Sequence, residues 1–90
     1  METQNQELKL LRGFERDSEW FHNNIDLLRK RGFTEKFVAV KEKDVISSEK
    51  DMDLLVESLE RKGENPSYLF IEFVHPKGFT LLLWKWKEYL

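Results

Sequence analysis

The stretch Phe37-Val38-Ala39-Val40-Lys41-Glu42-Lys43-Asp44-Val45-Ile46 decides the fold. Its first four residues form a continuous β-favouring run, and because both faces of that run are apolar it belongs inside a sheet. Lys41 to Asp44 is the polar break before Val45-Ile46 resumes, which predicts a hairpin of two short strands.

Downstream, Ser48 followed three residues later by Asp51 resembles a capping box. Met52, Leu55, Val56 and Leu59 then recur at helical spacing until Arg61-Lys62-Gly63 closes the segment. Asn65-Pro66-Ser67 turns the chain into a third strand, Tyr68 to His75, which Pro76-Lys77-Gly78 cuts off. In the last segment, Phe79 to Leu90, Trp84-Lys85-Trp86-Lys87 alternates with period two. Only a strand sends indoles and ammonium groups to opposite faces at that spacing, so a fourth strand is expected, with Pro76-Lys77-Gly78 as the hairpin connection.

Upstream, Asp17-Ser18 precedes Trp20, Phe21, Ile25 and Leu28, and Arg29-Lys30-Arg31-Gly32 supplies cations for a last turn and a left-handed stop. These features predict a helix from about Ser18 to Arg31. Leu8, Leu10 and Leu11 in the first thirteen residues suit either a short helix ending at Gly13 or a loosely tethered arm.

From Phe37 to Gly78, the run Phe37-Val38-Ala39-Val40, the short turn, Val45-Ile46, Lys50-Asp51, Leu55, Leu59, Lys62-Gly63 and Phe70-Ile71-Glu72-Phe73-Val74 resembles a family of small prokaryotic domains of unknown function, many of them archaeal. Trp20-Phe21 and Leu27-Leu28 are similar to that family's leading helix. The resemblance implies a helix-strand-strand-helix-strand order and no known activity. The chain departs from the pattern at Lys43-Asp44, where a glycine-containing turn is usual, and in its tryptophan-rich end.

The expected fold is α+β in one domain of 90 residues: a core over 14–78, a C-terminal strand over 79–90, and an N-terminal arm or short helix over 1–13. The strands should form a four-stranded antiparallel sheet in the order 2-1-3-4, with two main helices on one face. Leu69, Ile71 and Phe73 then face those helices. Tyr68, Phe70 and Val74 face the other way, joined there, depending on register, by Leu82, Trp84 and Trp86 or by Leu81 and Leu83, and this apolar patch requires a cover. The N-terminal arm with Leu8, Leu10 and Leu11 or a second copy of the chain can supply it; a second copy is favoured, making a homodimer with Phe70, Val74, Trp84, Trp86 and Tyr89 as its candidate interface, and the alternative is a monomer whose tail folds over its own core.

Composition narrows the remaining classes. With 15 basic and 17 acidic side chains the formal net charge is -2, so no global field draws the chain to nucleic acid or an anionic membrane. Cysteine is absent and histidine occurs twice, which leaves no thiolate metal site, no disulfide and no self-sufficient zinc site. The polar N-terminus and the lack of a long apolar run point to a cytoplasmic protein without membrane spans. Glycines stand singly, so no phosphate loop and no cofactor are expected.

No enzymatic motif is found, and His22, Glu72 and His75 are the titratable residues singled out. Glu72 shares the parity of Phe70 and Val74, where Lys41 or Lys85 would satisfy it. The favoured function is a non-enzymatic protein-interaction domain that self-associates through its C-terminal hairpin. The alternative is a single-stranded nucleic-acid-binding accessory protein that stacks bases on the tail's indoles and meets phosphates with Lys85 and Lys87. Strand alternation works against it, because indoles and lysines then point apart.

Overall fold

A computed structural model describes residues 2–77 as α1 (Glu2–Asn23), α2 (Ile25–Lys30), β1 (Phe37–Lys41), β2 (Asp44–Glu49), α3 (Met52–Arg61) and β3 (Phe70–Phe73). The strands form an antiparallel sheet in the order β2-β1-β3, so the Phe37–Val40 run is the central strand. The expected fourth strand, with Gly78 of its connection, lies outside the described residues. No described helix is long and apolar enough to cross a membrane.

The hairpin turn is built without glycine. Lys41 pairs with Asp44, and Glu42 and Lys43 between them take φ values of 51° and 62°. Positive φ at both central residues is the turn whose twist matches a hairpin, and it normally takes Asn-Gly because a side chain is crowded there. The conformation is held from outside: the Lys43 amide donates to Oδ1 of Asp17 on α1 at 2.9 Å. Replacing Glu42-Lys43 with Asn-Gly keeps that amide and removes the crowding. The variant should gain about 1 kcal/mol, read as a higher urea midpoint at unchanged slope.

A bulge follows the turn. Val40 faces Val45 but Ala39 faces Ser47, so Ile46 is the extra residue of β2. Val45 therefore packs on the Val38–Val40 side, while Ile46 joins Ala39 on the other. Ser47 is buried and its Oγ lies 2.8 Å from that of Ser58 on α3. The Ile46 carbonyl accepts the Lys62 ammonium from the end of the same helix.

The helices occupy opposite faces of the sheet, which corrects the expectation of two helices on one face. Phe21 of α1 and Leu28 of α2 pack with Val38, Val40 and Val74, and Trp20, Ile25, Phe33 and Phe70 border them. Leu55 and Leu59 of α3 pack on Ala39, with Phe37, Ile46, Leu69 and Ile71 around them. Topology explains the division. Both β2 and β3 are antiparallel to β1, so they are parallel to each other and α3 is a crossover between them. Strand twist fixes the hand of such a crossover, which leaves α3 one face and the N-terminal helices the other.

α1 also overturns the reading of the first thirteen residues. It passes through Gly13 without a break, and Asp17-Ser18 lie in its interior rather than at its start. Leu10, Phe14, Asp17 and Phe21 share one side of it at helical spacing, and burial increases along that series toward Asp17 and Phe21. A glycine inside a helix costs about 1 kcal/mol, less than the roughly 1.5–3 kcal/mol gained by burying a side chain such as Phe21.

The helix breaks instead at Asn24, whose side-chain amide donates to the Trp20 carbonyl at 2.8 Å. α2 closes as expected on Gly32, at φ +91°. The Gly32 amide donates to the Arg29 carbonyl, the Phe33 amide donates to the Leu28 carbonyl, and Phe33 packs against the core beside Leu28. Gly63, at φ +77°, closes α3 through the same pair of bonds, to Glu60 and Leu59.

Two further boundaries differ. Ser48 belongs to β2, so it is not the first member of a capping box, and Asp51 is the residue that precedes α3. β3 is shorter than the Tyr68–His75 run because Pro66–Tyr68 wind into a single tight helical turn, where Asn65 Oδ1 accepts the Ser67 amide at 3.0 Å. Beyond Phe73 the pairing persists through Val74, whose amide donates to the Lys36 carbonyl at 2.9 Å and whose carbonyl accepts the Glu35 amide at 2.7 Å.

Candidate functional site

The chemistry-bearing residues meet at the side of β3 away from β1. The break at Asn24 turns Ile25, Asp26 and Arg29 of α2 toward this strand, and His22 stands in the last turn of α1 just before them. With Phe21, Glu72, Phe73 and His75 they line an open groove of about 520 Å³. His22, Glu72 and His75, which no local spacing connects, thus border one depression. Local sequence carries no signal for this, because each lies on a different segment and only the packing of α2 on the sheet brings them together.

Arg29 ties the two walls. Its Nε donates to the His75 carbonyl at 2.9 Å, and its Nη1 donates to Asp26 Oδ1 at 3.0 Å. The arginine read as helix-end charge complementation therefore bonds to the end of the third strand. On the other wall, His22 Nδ1 lies 2.8 Å from the Ser18 carbonyl. A carbonyl only accepts, so Nδ1 carries the hydrogen and a neutral ring keeps its lone pair on Nε2. Phe21 meets His22 edge to face at 5.3 Å, and Phe73 meets His75 at 4.8 Å, so each imidazole is braced by a ring.

Glu72 is half-buried opposite Val38, on the parity expected for it. Its Oε1 accepts the neighbouring Phe73 amide at 3.3 Å. Lys41, one of its two expected partners, lies on the other parity and donates to Glu64 at 3.0 and 3.1 Å; Lys85 lies outside the described residues. Among the described residues the groove is lined by two carboxylates, two imidazoles and one guanidinium beside Phe21, Ile25 and Phe73, with no hydroxyl or thiol nucleophile. Among the described residues no three His, Cys, Asp or Glu side chains gather closely enough to hold a metal ion. Such a lining suits an ammonium group on an apolar stem.

The expected interface residues divide. Val74 is fully buried in the chain's own core, and Phe70 packs on Phe21 with ring centres 5.6 Å apart. Both are taken out of the candidate interface, because α1 and α2 already cover the face that a second copy was expected to cover. Trp84, Trp86 and Tyr89, together with Lys85 and Lys87, lie outside the described residues. Among the described residues, one partly open apolar surface lies on the α3 side. α3 sits chiefly over β2 and β1, leaving Phe37, Ile71 and Phe73 half-buried, with the Phe37 and Phe73 rings 5.0 Å apart.

A second depression, of about 260 Å³, lies between α1 and the start of the β1–β2 turn. Four of its charges pair within it: Lys41 with Glu64, and Arg16 with Asp17 at 3.2 Å. Hydrogen bonding to Asp17, reinforced by the charges of Asp17 and Glu42 against some desolvation, raises the Arg16 guanidinium above its ordinary value.

No family model, no curated protein and no solved structure matches this chain.

Proposed function

We propose that this chain is a non-enzymatic, cytoplasmic protein-interaction domain that forms a homodimer through its C-terminal hairpin, β3 followed by residues 79–90 as a fourth strand in the order 2-1-3-4. Kinship with the small prokaryotic domains it resembles is part of this reading, and the helix-strand-strand-helix-strand order supports it. The observation that carries the proposal is the half-covered strip Phe37, Ile71 and Phe73 beside the outer edge of β3, which has β1 as its one neighbour among the described residues.

In that order residues 79–90 take the edge of β3, and the outer edge of the fourth strand invites the same strand of a second copy. A C2 pairing sets the same strip against itself, so apolar surface meets apolar surface without a second evolved partner, and tryptophan and tyrosine are strong anchors for it. The non-enzymatic reading is supported by the groove, where Arg29 is committed to His75 and Asp26 and, among the described residues, no hydroxyl or thiol lines it.

Light scattering during size-exclusion chromatography, across a wide concentration range, should return twice the chain mass. Trp86→Asp should return a monomer or an aggregate with the helical circular dichroism unchanged. A parent chain that is monomeric at every concentration, or a Trp86→Asp dimer, sinks the reading.

A further inference from the structure

Backbone direction alternates along β3. Val74 bonds through both its amide and its carbonyl to the segment before β1, and Glu72 and Phe70 follow it in register opposite Val38 and Val40, so the even residues bond to β1. Ile71, Phe73 and His75 therefore turn their backbone groups toward the outer edge.

Two of those outward groups are taken by side chains. Glu72 Oε1 accepts the Phe73 amide at 3.3 Å, and Arg29 Nε donates to the His75 carbonyl at 2.9 Å. Asp26 holds the guanidinium in place by accepting from its Nη1 at 3.0 Å, and the Arg29 side chain is only 17 % exposed. Each bond has an ionised partner, which makes it stronger than a neutral pair. Among the described side chains these two bond to the edge, so Ile71 is left open.

We propose that Glu72 and Arg29 are edge caps, closing the Phe73 amide and the His75 carbonyl to an incoming strand and leaving Ile71 as the open residue of this edge. An exposed edge is a template for pairing with another chain, and charged side chains are one guard against it. Here the charges also occupy the bonding groups. A strand that approaches β3 can register on Ile71, but to run on past Phe73 it must displace a carboxylate and a guanidinium. The inference goes beyond the self-association reading, because it holds for a strand of any origin; where that reading holds, the caps confine the ladder to the Ile71 side of Phe73.

Amide hydrogen exchange on the full chain, followed by NMR, reads the first cap. The Phe73 amide should exchange at least about tenfold more slowly than its unprotected rate, and Glu72→Ala should restore that rate. Glu72→Gln keeps an acceptor and should retain most of the protection. The Val74 amide, bonded to the Lys36 carbonyl, is the internal standard. Opening both caps should release the edge, so Glu72→Ala with Arg29→Ala should form larger assemblies than the parent by light scattering, at about tenfold lower concentration. Glu72→Gln with Arg29→Lys keeps an acceptor and a donor and should behave as the parent does.

A Phe73 amide unprotected in the parent overturns the inference. One that stays protected in Glu72→Ala overturns it too, since a strand then holds it. A double alanine variant that folds and keeps the parent's mass does the same, and if that variant unfolds the exchange rates decide. The two claims separate cleanly: a dimeric parent with an unprotected Phe73 amide defeats the caps and leaves self-association standing, while a monomer whose Phe73 protection depends on Glu72 does the reverse.

Discussion

Val74→Asp is expected to abolish the fold rather than dissociate an assembly. Val74 is fully buried among Phe21, Leu28, Val38 and Val40, and both of its backbone groups are bonded to the segment leading into β1. The substitution forfeits roughly 1.5–3 kcal/mol of apolar burial. It also places a carboxyl group where no described donor awaits it, a further cost of several kcal/mol whether the group ionises or takes up a proton. A domain of this length has about 5–10 kcal/mol in total, so most of the population should be unfolded at room temperature. Far-UV circular dichroism and urea titration read the result directly. Val74→Ala removes two methyl groups and no more, and should cost about 2 kcal/mol while keeping a cooperative transition. If Val74 were an interface anchor, the aspartate variant would be a well-folded monomer, and that outcome would return Val74 to the dimer surface.

The same residue shows how far the sequence could be read. The central place of β1, its antiparallel neighbours, α3 with Leu55 and Leu59 inward, and the glycine closures at Gly32 and Gly63 were all legible, because each depends on local periodicity or a local backbone demand. What failed was the assignment of faces. A strand apolar on both sides asks for cover on both sides, and the cover for the Val38–Val40 face came from Phe21 and Leu28, with Trp20 and Ile25 beside them. Gly13 concealed the length of α1 by suggesting a stop, although one glycine costs less than the burial of a side chain such as Phe21.

Asp17 misled for a related reason. It is a favoured capping residue type, and its actual partner, the Lys43 amide, lies on a turn 26 positions away. Likewise the groove joins His22, Asp26 and Arg29 to Glu72 and His75 through tertiary packing alone, so no motif could have announced it. The missing glycine at Lys43, by contrast, was visible as a departure from an ordinary turn, and the structure supplies its reason.

That reason makes Asp17→Ala the second large effect. Asp17 is only 4 % exposed, yet it sits near the end of a hairpin whose two turn residues are held in a crowded conformation. Its bond to the Lys43 amide has an ionised acceptor, and hydrogen bonds of that kind contribute about 1.5–3 kcal/mol. The Arg16 guanidinium beside it is 44 % exposed on its side chain and adjacent in sequence, so solvent screening leaves that ion pair a small share. Alanine should therefore cost about 2 kcal/mol, and with the transition of a small domain this lowers the melting temperature by roughly 8–16 °C. Asparagine keeps a neutral acceptor for the same amide and should lose about half as much. Arg16→Ala should change stability by less than about 0.5 kcal/mol. Thermal melts of the three variants rank the two interactions of Asp17 against each other. A larger loss from Arg16→Ala than from Asp17→Asn would mean that the buried carboxylate serves the guanidinium, and that the turn holds its shape without the helix.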